Sequence, residues 1–229
     1  MGKWKGIVGK SFTVEEFKKY VETLQWTDWI PDFIVLHNTG VPSLSSYPNG
    51  LTSKYINQIL ADYYRYEKGW SAGPHLFVDD KQIWVFTPLT TPGVHSPSWN
   101  NRTLGVEMLG NYDVEKFNSG RGELVKKNAV AAIAILSDLL GIAPDTMKLH
   151  REDPGTDHHC PGDNVNKKLF IKMVEDYIDT EKTPVKVEEP VIEPVKVEEL
   201  VVEPVVEPVK VEEQLTFWQS ILKFFKLYN

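Results

Sequence analysis

The sequence predicts an α/β protein with a mixed central β-sheet flanked by helices. Apolar runs typical of buried strands alternate with segments of helical periodicity along residues 1–180. Two of the runs, HLFVDD and QIWVFTP, are separated by a short polar turn, which is typical of an antiparallel hairpin. Because a hairpin breaks the regular alternation of strand and helix, a mixed sheet is favoured over a purely parallel one.

The first half of this domain carries one strong helix signal and one strong strand signal. Thr13 and Glu16 form a capping box ahead of apolar positions at helical spacing, so a helix is predicted to begin there. The run FIVLH, residues 33–37, predicts a buried strand that ends in a polar loop. A second helical pattern starts at Tyr55 and is stopped near Gly69.

The second half repeats these patterns. The hairpin is predicted to turn at 79–81, and TLGVEML is the next strand. A long helix follows and is ended by Gly141. The run MKLH predicts a strand with His150 at its end, and a closing helix is predicted around Phe170.

The composition changes after Thr180, which predicts three parts: a domain of residues 1–180, a Pro/Val/Glu-rich repeat linker of residues 181–213, and a C-terminal amphipathic helix of residues 214–229. The motif PVKVEE occurs three times in the linker, which carries 4 basic and 10 acidic residues. Proline and like-charge repulsion predict an extended, disordered spacer. The final segment is expected either to pack on a protein surface or to contact a membrane surface.

Charge and composition exclude several classes. The net charge of -7 offers no basic footprint for nucleic acid. A single cysteine excludes an intramolecular disulfide framework. No stretch approaches the roughly 20 apolar residues of a membrane span, and no signal peptide is recognised. The sequence therefore predicts synthesis in a cytoplasm.

The stretch HREDPGTDHHCPG, residues 150–162, holds three of the six histidines and the one cysteine. His37 and His150 each end an apolar strand, so both are expected at one rim of the sheet. With Cys160 they make a three-ligand zinc set, which leaves a fourth position open for water. Two alternatives remain at this point: structural histidines beside a buried cysteine, or a cysteine nucleophile activated by a neighbouring histidine.

Four blocks occur in order over most of residues 30–180: VLHNTG, PHLFVDD, GVHSPSWN followed by LGVEMLG, and HREDPGTDHHCPG. Together they resemble the zinc-dependent N-acetylmuramoyl-L-alanine amidase family, which includes phage lysins and peptidoglycan recognition proteins. The resemblance implies a mixed sheet flanked by helices, with a zinc ion in a peptidoglycan-binding cleft.

Matched position by position, the resemblance implies that His37, His150 and Cys160 bind zinc and that Glu107 is the general base. His158 falls where many relatives have a lysine that stabilises the oxyanion. A histidine can donate the same hydrogen bond, but its charge depends on pH. The resemblance therefore predicts an activity that is more sensitive to pH than in relatives with lysine.

Four further residues are predicted to contact substrate. Asn38 and Thr39 follow the first zinc ligand in the chain. His95 lies in the third block, and Trp99 can stack on a sugar ring. A tyrosine found in some relatives is replaced by Pro74, which leaves more of the proton transfer to Glu107.

The predicted function is hydrolysis of the amide between N-acetylmuramic acid and L-alanine of the stem peptide by zinc-activated water. The protein is expected to be an endolysin of phage type, which is made in a cytoplasm and acts on the cell wall after release. A non-catalytic peptidoglycan-binding module of the same fold is the alternative. Relatives that only bind typically lack the cysteine, so Cys160 favours the enzyme.

Overall fold

A computed structural model describes residues 3–182. Six strands form one mixed sheet, and three α-helices accompany it. The strands are β1 (Lys10–Phe12), β2 (Phe33–Asn38), β3 (Leu76–Val78), β4 (Ile83–Val85), β5 (Thr103–Met108) and β6 (Lys148–Leu149). The α-helices are α1 (Val14–Glu22), α2 (Gly120–Leu140) and α3 (Lys167–Lys182). The predicted fold class is confirmed.

The sheet has the strand order β1-β4-β3-β5-β2-β6. Its centre is parallel, because β5 pairs in parallel with both β2 and β3, and β6 pairs in parallel with β2. Its other side is antiparallel, through the β3–β4 hairpin and the edge strand β1. The parallel pairs bring the carboxyl ends of β2, β5 and β6 to one edge, where ligand sites gather in open α/β sheets.

Local signals in the sequence set the ends of several elements. The Thr13 hydroxyl accepts a hydrogen bond from the Glu16 amide, and the Glu16 carboxylate accepts one from the Thr13 amide, which completes the predicted capping box of α1. In the hairpin turn, the Asp79 carboxylate accepts hydrogen bonds from the amides of Lys81 and Gln82. Gly141 has a φ of 67°, the left-handed conformation that commonly ends a helix.

The core lies between the sheet and α2. Small and branched side chains of α2, including Ala129, Ala132 and Ile133, are fully buried among strand residues such as Leu104 and Val106. The helices α1 and α3 pack against α2. Burial of apolar surface of this kind contributes roughly 25 cal/mol per Å² to folding.

The segment after Thr52 is helical, as predicted, but most of it has the wider π-helical turn. Its π-helical parts are Tyr55–Leu60 and Tyr63–Glu67. The Tyr64 ring contacts the Phe86 ring next to β4, so this segment is held against the sheet. π-Helical turns occur frequently at functional sites.

Three boundaries differ from the sequence prediction. The edge strand β1 was not predicted, because three residues carry too little periodicity. The strand β6 ends at Leu149, and His150 begins a 3-10 turn instead. The helix α3 continues to Lys182, beyond the predicted domain end. The rest of the linker and the C-terminal amphipathic helix lie outside the described residues. Within residues 3–182, no helix is long and apolar enough to cross a lipid bilayer.

Arg121 ties the first turn of α2 to two loops. Its guanidinium donates to both carboxylate oxygens of Asp80, at 2.9 and 2.6 Å, and to the carbonyl oxygens of Leu44 and Tyr47. Hydrogen bonds from Arg121 lower the pKa of the Asp80 carboxyl. We expect Arg121→Met to lower the free energy of unfolding by about 2 kcal/mol, because charged hydrogen bonds are lost and their acceptors are left unpaired.

Denaturant unfolding of the variant at several pH values checks this prediction. Since the folded pKa of Asp80 is lowered, the pair stabilises fully above the unfolded carboxyl pKa and loses its effect as pH falls through the folded pKa. The difference between variant and wild type should therefore shrink in acid. The control is Lys127→Met, which breaks the exposed pair with Glu123 and should cost no more than about 0.5 kcal/mol. Equal losses in the two variants would contradict the prediction.

Candidate functional site

A cleft of about 760 Å³ opens at the carboxyl ends of the parallel strands. Its polar lining includes five residues that the sequence singled out: His37, Glu107, His150, His158 and Cys160. The segment of residues 55–70 contributes an aromatic wall, the name used here for Tyr55, Tyr63, Tyr64 and Trp70. The cleft therefore combines a group of titratable side chains with large apolar rings, a combination typical of binding sites.

His37, His150 and Cys160 come together as predicted. One potential ligand atom from each lies within 4.8 Å of the others. His37 is the fifth residue of β2, and His150 directly follows β6, the parallel neighbour of β2. The loop after His150 folds back, since the Arg151 amide donates to the Cys160 carbonyl oxygen at 2.8 Å. The loop therefore places the Cys160 sulfur close to the imidazoles of His37 and His150.

The chemistry of these three residues fits a transition metal ion. Two imidazoles and one thiolate are the ligands that such ions, zinc among them, accept. The Nε2 atom of His150 is buried without a hydrogen-bond partner among the described residues. Burial lowers the pKa of His37 well below its ordinary value and that of His150 to about 4. Both imidazoles are therefore neutral, the form that binds metal.

The environment of Cys160 disfavours a free thiolate. Burial, followed by the charge of Glu107, raises the pKa of the Cys160 thiol far above its ordinary value. The Asn38 amide donates to the sulfur at 3.3 Å, but this hydrogen bond only partly offsets the effect of burial. A thiol with a raised pKa is a poor nucleophile, whereas a bound cation would deprotonate it. The geometry thus favours a ligand role over the cysteine-nucleophile alternative.

Glu107 lies beside His37 in the sheet. The two residues are direct partners in the parallel register of β2 and β5. Desolvation raises the pKa of the Glu107 carboxyl to about 8. A carboxyl with a pKa close to neutrality is suited to proton transfer, because it can both accept and return a proton. Glu107 is therefore not an ordinary solvent-facing carboxylate on the surface of the sheet.

His158 lies at the edge of the same group. Its ring is 5.4 Å from the His150 ring, centroid to centroid, and it lines the cleft. The side chain is exposed, unlike His37. It is therefore available to a substrate that enters the cleft.

The predicted substrate contacts fall into two groups. Asn38, Thr39 and His95 line the cleft. The Asn38 side-chain amide donates to the Gly110 carbonyl oxygen, and the Gly110 amide donates to the Thr39 hydroxyl, so these residues hold together the loops that follow β2 and β5. His95 is only 7% exposed, so most of its surface faces the protein.

Trp99 is not brought to the cleft. Its ring packs edge-on against Phe33, with the centroids 5.5 Å apart, at the beginning of β2 and thus at the end of the strand away from His37. The structure does not support the predicted contact with sugar at this residue. Trp70 lies in the cleft instead and stacks on Tyr64 at 5.3 Å. The tyrosines of the aromatic wall were missed as site residues, because their helical spacing is also that of an ordinary core-facing helix.

Two histidines and a cysteine beside a carboxylate, at the edge of a mixed sheet, form a candidate transition-metal centre next to a candidate proton-transfer group. The sequence model of the N-acetylmuramoyl-L-alanine amidase family matches residues 27–163. This match spans more than half of the chain, and the protein belongs to that family. The resemblance carried by the four sequence blocks is confirmed.

Two solved amidase structures share the fold of this chain. The endolysin N-acetylmuramoyl-L-alanine amidase LysCS from Clostridium intestinale URNW has 23% sequence identity and a TM-score of 0.51, covering 67% of this chain and 92% of that one. The amidase LysC from the same organism has 22% identity and a TM-score of 0.51, covering 67% and 94%. Drosophila PGRP-LB has 19% identity and a TM-score of 0.49, covering 66% and 84%. No curated protein matches the sequence significantly.

Proposed function

We propose that this protein is a zinc-dependent endolysin that hydrolyses the amide between N-acetylmuramic acid and L-alanine of the peptidoglycan stem peptide. The observation that carries the proposal is the convergence of His37, His150 and Cys160 beside Glu107 in one cleft. Membership in the amidase family supports the bond, and the endolysin name of one structural neighbour supports the biological class.

His37, His150 and Cys160 would hold the zinc ion. Bound there, zinc would lower the pKa of water from 15.7 toward roughly 7 and polarise the scissile carbonyl. The three side chains leave a fourth position for that water or for substrate. Their attachment to adjacent parallel strands and to a folded-back loop fixes their mutual distances before substrate arrives.

Glu107 moves the proton in this mechanism. Its carboxylate accepts a proton from the attacking water and donates it to the nitrogen of the leaving L-alanine amine. The raised pKa of about 8 suits both steps, since the group is neither too weak a base nor too weak an acid near neutrality. Position 74 is proline, so no tyrosine at that position shares the transfer with Glu107.

His158 serves the developing oxyanion. A ring N–H of this exposed histidine donates to the carbonyl oxygen as negative charge grows on it. The aromatic wall also lines the cleft and offers rings for sugar or peptide to pack against. Release to the cell wall when the cell membrane is breached is the expected route to substrate for a phage-type enzyme.

The alternative of a binding module without activity is less well supported, because all three ligand candidates and the carboxylate are present together. A digestion of purified peptidoglycan separates the two. We expect new alanine amino termini, detected by amine labelling, without new reducing sugar ends. Co-sedimentation of the protein with peptidoglycan, with no rise in amino termini, would favour the binding module. New reducing ends would place the cut in the glycan and contradict the proposed bond.

A further inference from the structure

Five of the six histidines form a row in which each ring lies next to the following one. Successive ring centroids lie 5.6 Å apart from His75 to His95, 5.1 Å from His95 to His37, 4.3 Å from His37 to His150 and 5.4 Å from His150 to His158. The proposed mechanism uses the outer three. The inner pair, His75 and His95, is 0% and 7% exposed, and each ring has a hydrogen-bond partner at both nitrogens.

His95 is hydrogen-bonded through both ring nitrogens. Its Nδ1 is 3.1 Å from Nε2 of His37, and its Nε2 is 3.2 Å from the Thr103 carbonyl oxygen. The Thr103 hydroxyl, also near Nε2, donates its own hydrogen to the Trp99 carbonyl oxygen. Both oxygens facing Nε2 are therefore acceptors, and the proton of His95 belongs on Nε2.

The direction of the next hydrogen bond follows. A neutral imidazole carries one ring proton, so Nδ1 of His95 is left with a lone pair and accepts. The donor must then be Nε2–H of His37. We propose that His95 is a positioning residue that fixes the proton of His37 on Nε2 and so presents the Nδ1 lone pair of His37 to the metal. This inference rests on the proposed metal-dependent function and deepens it.

The surroundings of His95 hold its ring in this position. The Asn100 side-chain oxygen accepts from the amides of His95 and Ser96, at 2.7 and 2.8 Å. The ring lies against Gly105, where an added Cβ would be 2.5 Å from His95 Cγ. Only glycine therefore fits on β5 at this point. Hydrogen bonds that orient a metal-binding histidine typically change metal affinity 10- to 100-fold when they are removed.

Zinc affinity measured by competition with a chromophoric chelator tests the proposal without any substrate. We expect His95→Leu to bind zinc about 10- to 100-fold more weakly than wild type. The matched control is His75→Leu, which removes an equally buried imidazole that hydrogen-bonds only to the backbone of Thr91 and Gly105. Its loss of affinity should stay below about tenfold. His95→Asn retains an acceptor near the position of Nδ1 and should recover most of the affinity.

Long-range ¹H–¹⁵N correlation of the histidine rings in the metal-free wild type is a second readout that needs no variant. It should place the protons of His37 and His95 on Nε2. A proton on Nδ1 of His37, unchanged zinc affinity in folded His95→Leu, or equal losses in the two leucine variants would overturn the proposal. If the zinc affinities of wild type and variants follow the expected order but wild type does not cleave peptidoglycan, the amidase function is refuted and the role of His95 is still supported. Wild type that binds no zinc would overturn both.

Discussion

Replacing Cys160 with serine is expected to abolish most zinc binding and with it the hydrolysis of peptidoglycan. A serine hydroxyl keeps nearly the same shape but is not a thiolate, so one of three ligands is lost. We expect zinc affinity to fall by more than the roughly 100-fold reached when only a supporting hydrogen bond is removed. Helical circular dichroism should be unchanged, since Cys160 lies in a loop and is not part of the hydrophobic core.

Zinc stoichiometry after dialysis, measured by atomic emission, checks this result. His159→Ala is the control, because this neighbouring histidine is exposed and does not line the cleft. It should retain one zinc per chain and wild-type activity. Full zinc content in Cys160→Ser would remove the cysteine from the ligand set. Loss of zinc in His159→Ala as well would place the ligands differently in the loop.

Replacing Glu107 with glutamine is expected to leave zinc bound and to lower kcat by about 10²- to 10⁴-fold, the usual contribution of general acid–base catalysis. Glutamine preserves the size of the side chain and removes the carboxylate that accepts the proton of water. The substitution also removes a buried carboxyl whose pKa is raised by desolvation. The folded state should therefore be no less stable at neutral pH, because glutamine removes a group that ionises more readily in the unfolded chain than in its desolvated folded position.

Steady-state rates of amine release from peptidoglycan, together with zinc content, test this prediction. The control is Glu123→Gln in the first turn of α2, whose carboxylate forms only an exposed pair with Lys127. It should have the kcat of wild type. Near-normal kcat in Glu107→Gln would exclude the carboxylate from proton transfer. Loss of zinc from that variant would instead assign Glu107 a role in holding the metal.

Much of the fold was accessible from sequence because its signals are local. The capping box at Thr13, the hairpin turn at Asp79 and the stop at Gly141 each depend on a few neighbouring residues. The strand β1 has no such signal, since three residues at a sheet edge carry neither length nor alternation. Its place is set by pairing with β4, more than 70 residues away in the chain.

The candidate site likewise contains some residues that the sequence could predict and others that it could not. Residues at strand ends, such as His37 and Glu107, were predictable because parallel strands bring their carboxyl ends together. His95 was expected to touch substrate, but its mainly buried position and its contact with His37 depend on how one loop packs against β5. The position of Trp99, four residues further along that loop, depends on the same packing. Its ring lies against Phe33 and does not line the cleft. The predicted pH sensitivity due to His158 stays a prediction.

Mass spectrometry of peptidoglycan digested by the purified full chain tests metal-dependent cleavage of the amide, with untreated, chelator-treated and zinc-restored protein compared. We expect free stem peptides that begin with L-alanine, together with unshortened glycan chains. These peptides should disappear on chelation and return when zinc is added. Stem peptides released equally well by chelated, metal-free protein would contradict the claim that His37, His150 and Cys160 act through a metal ion.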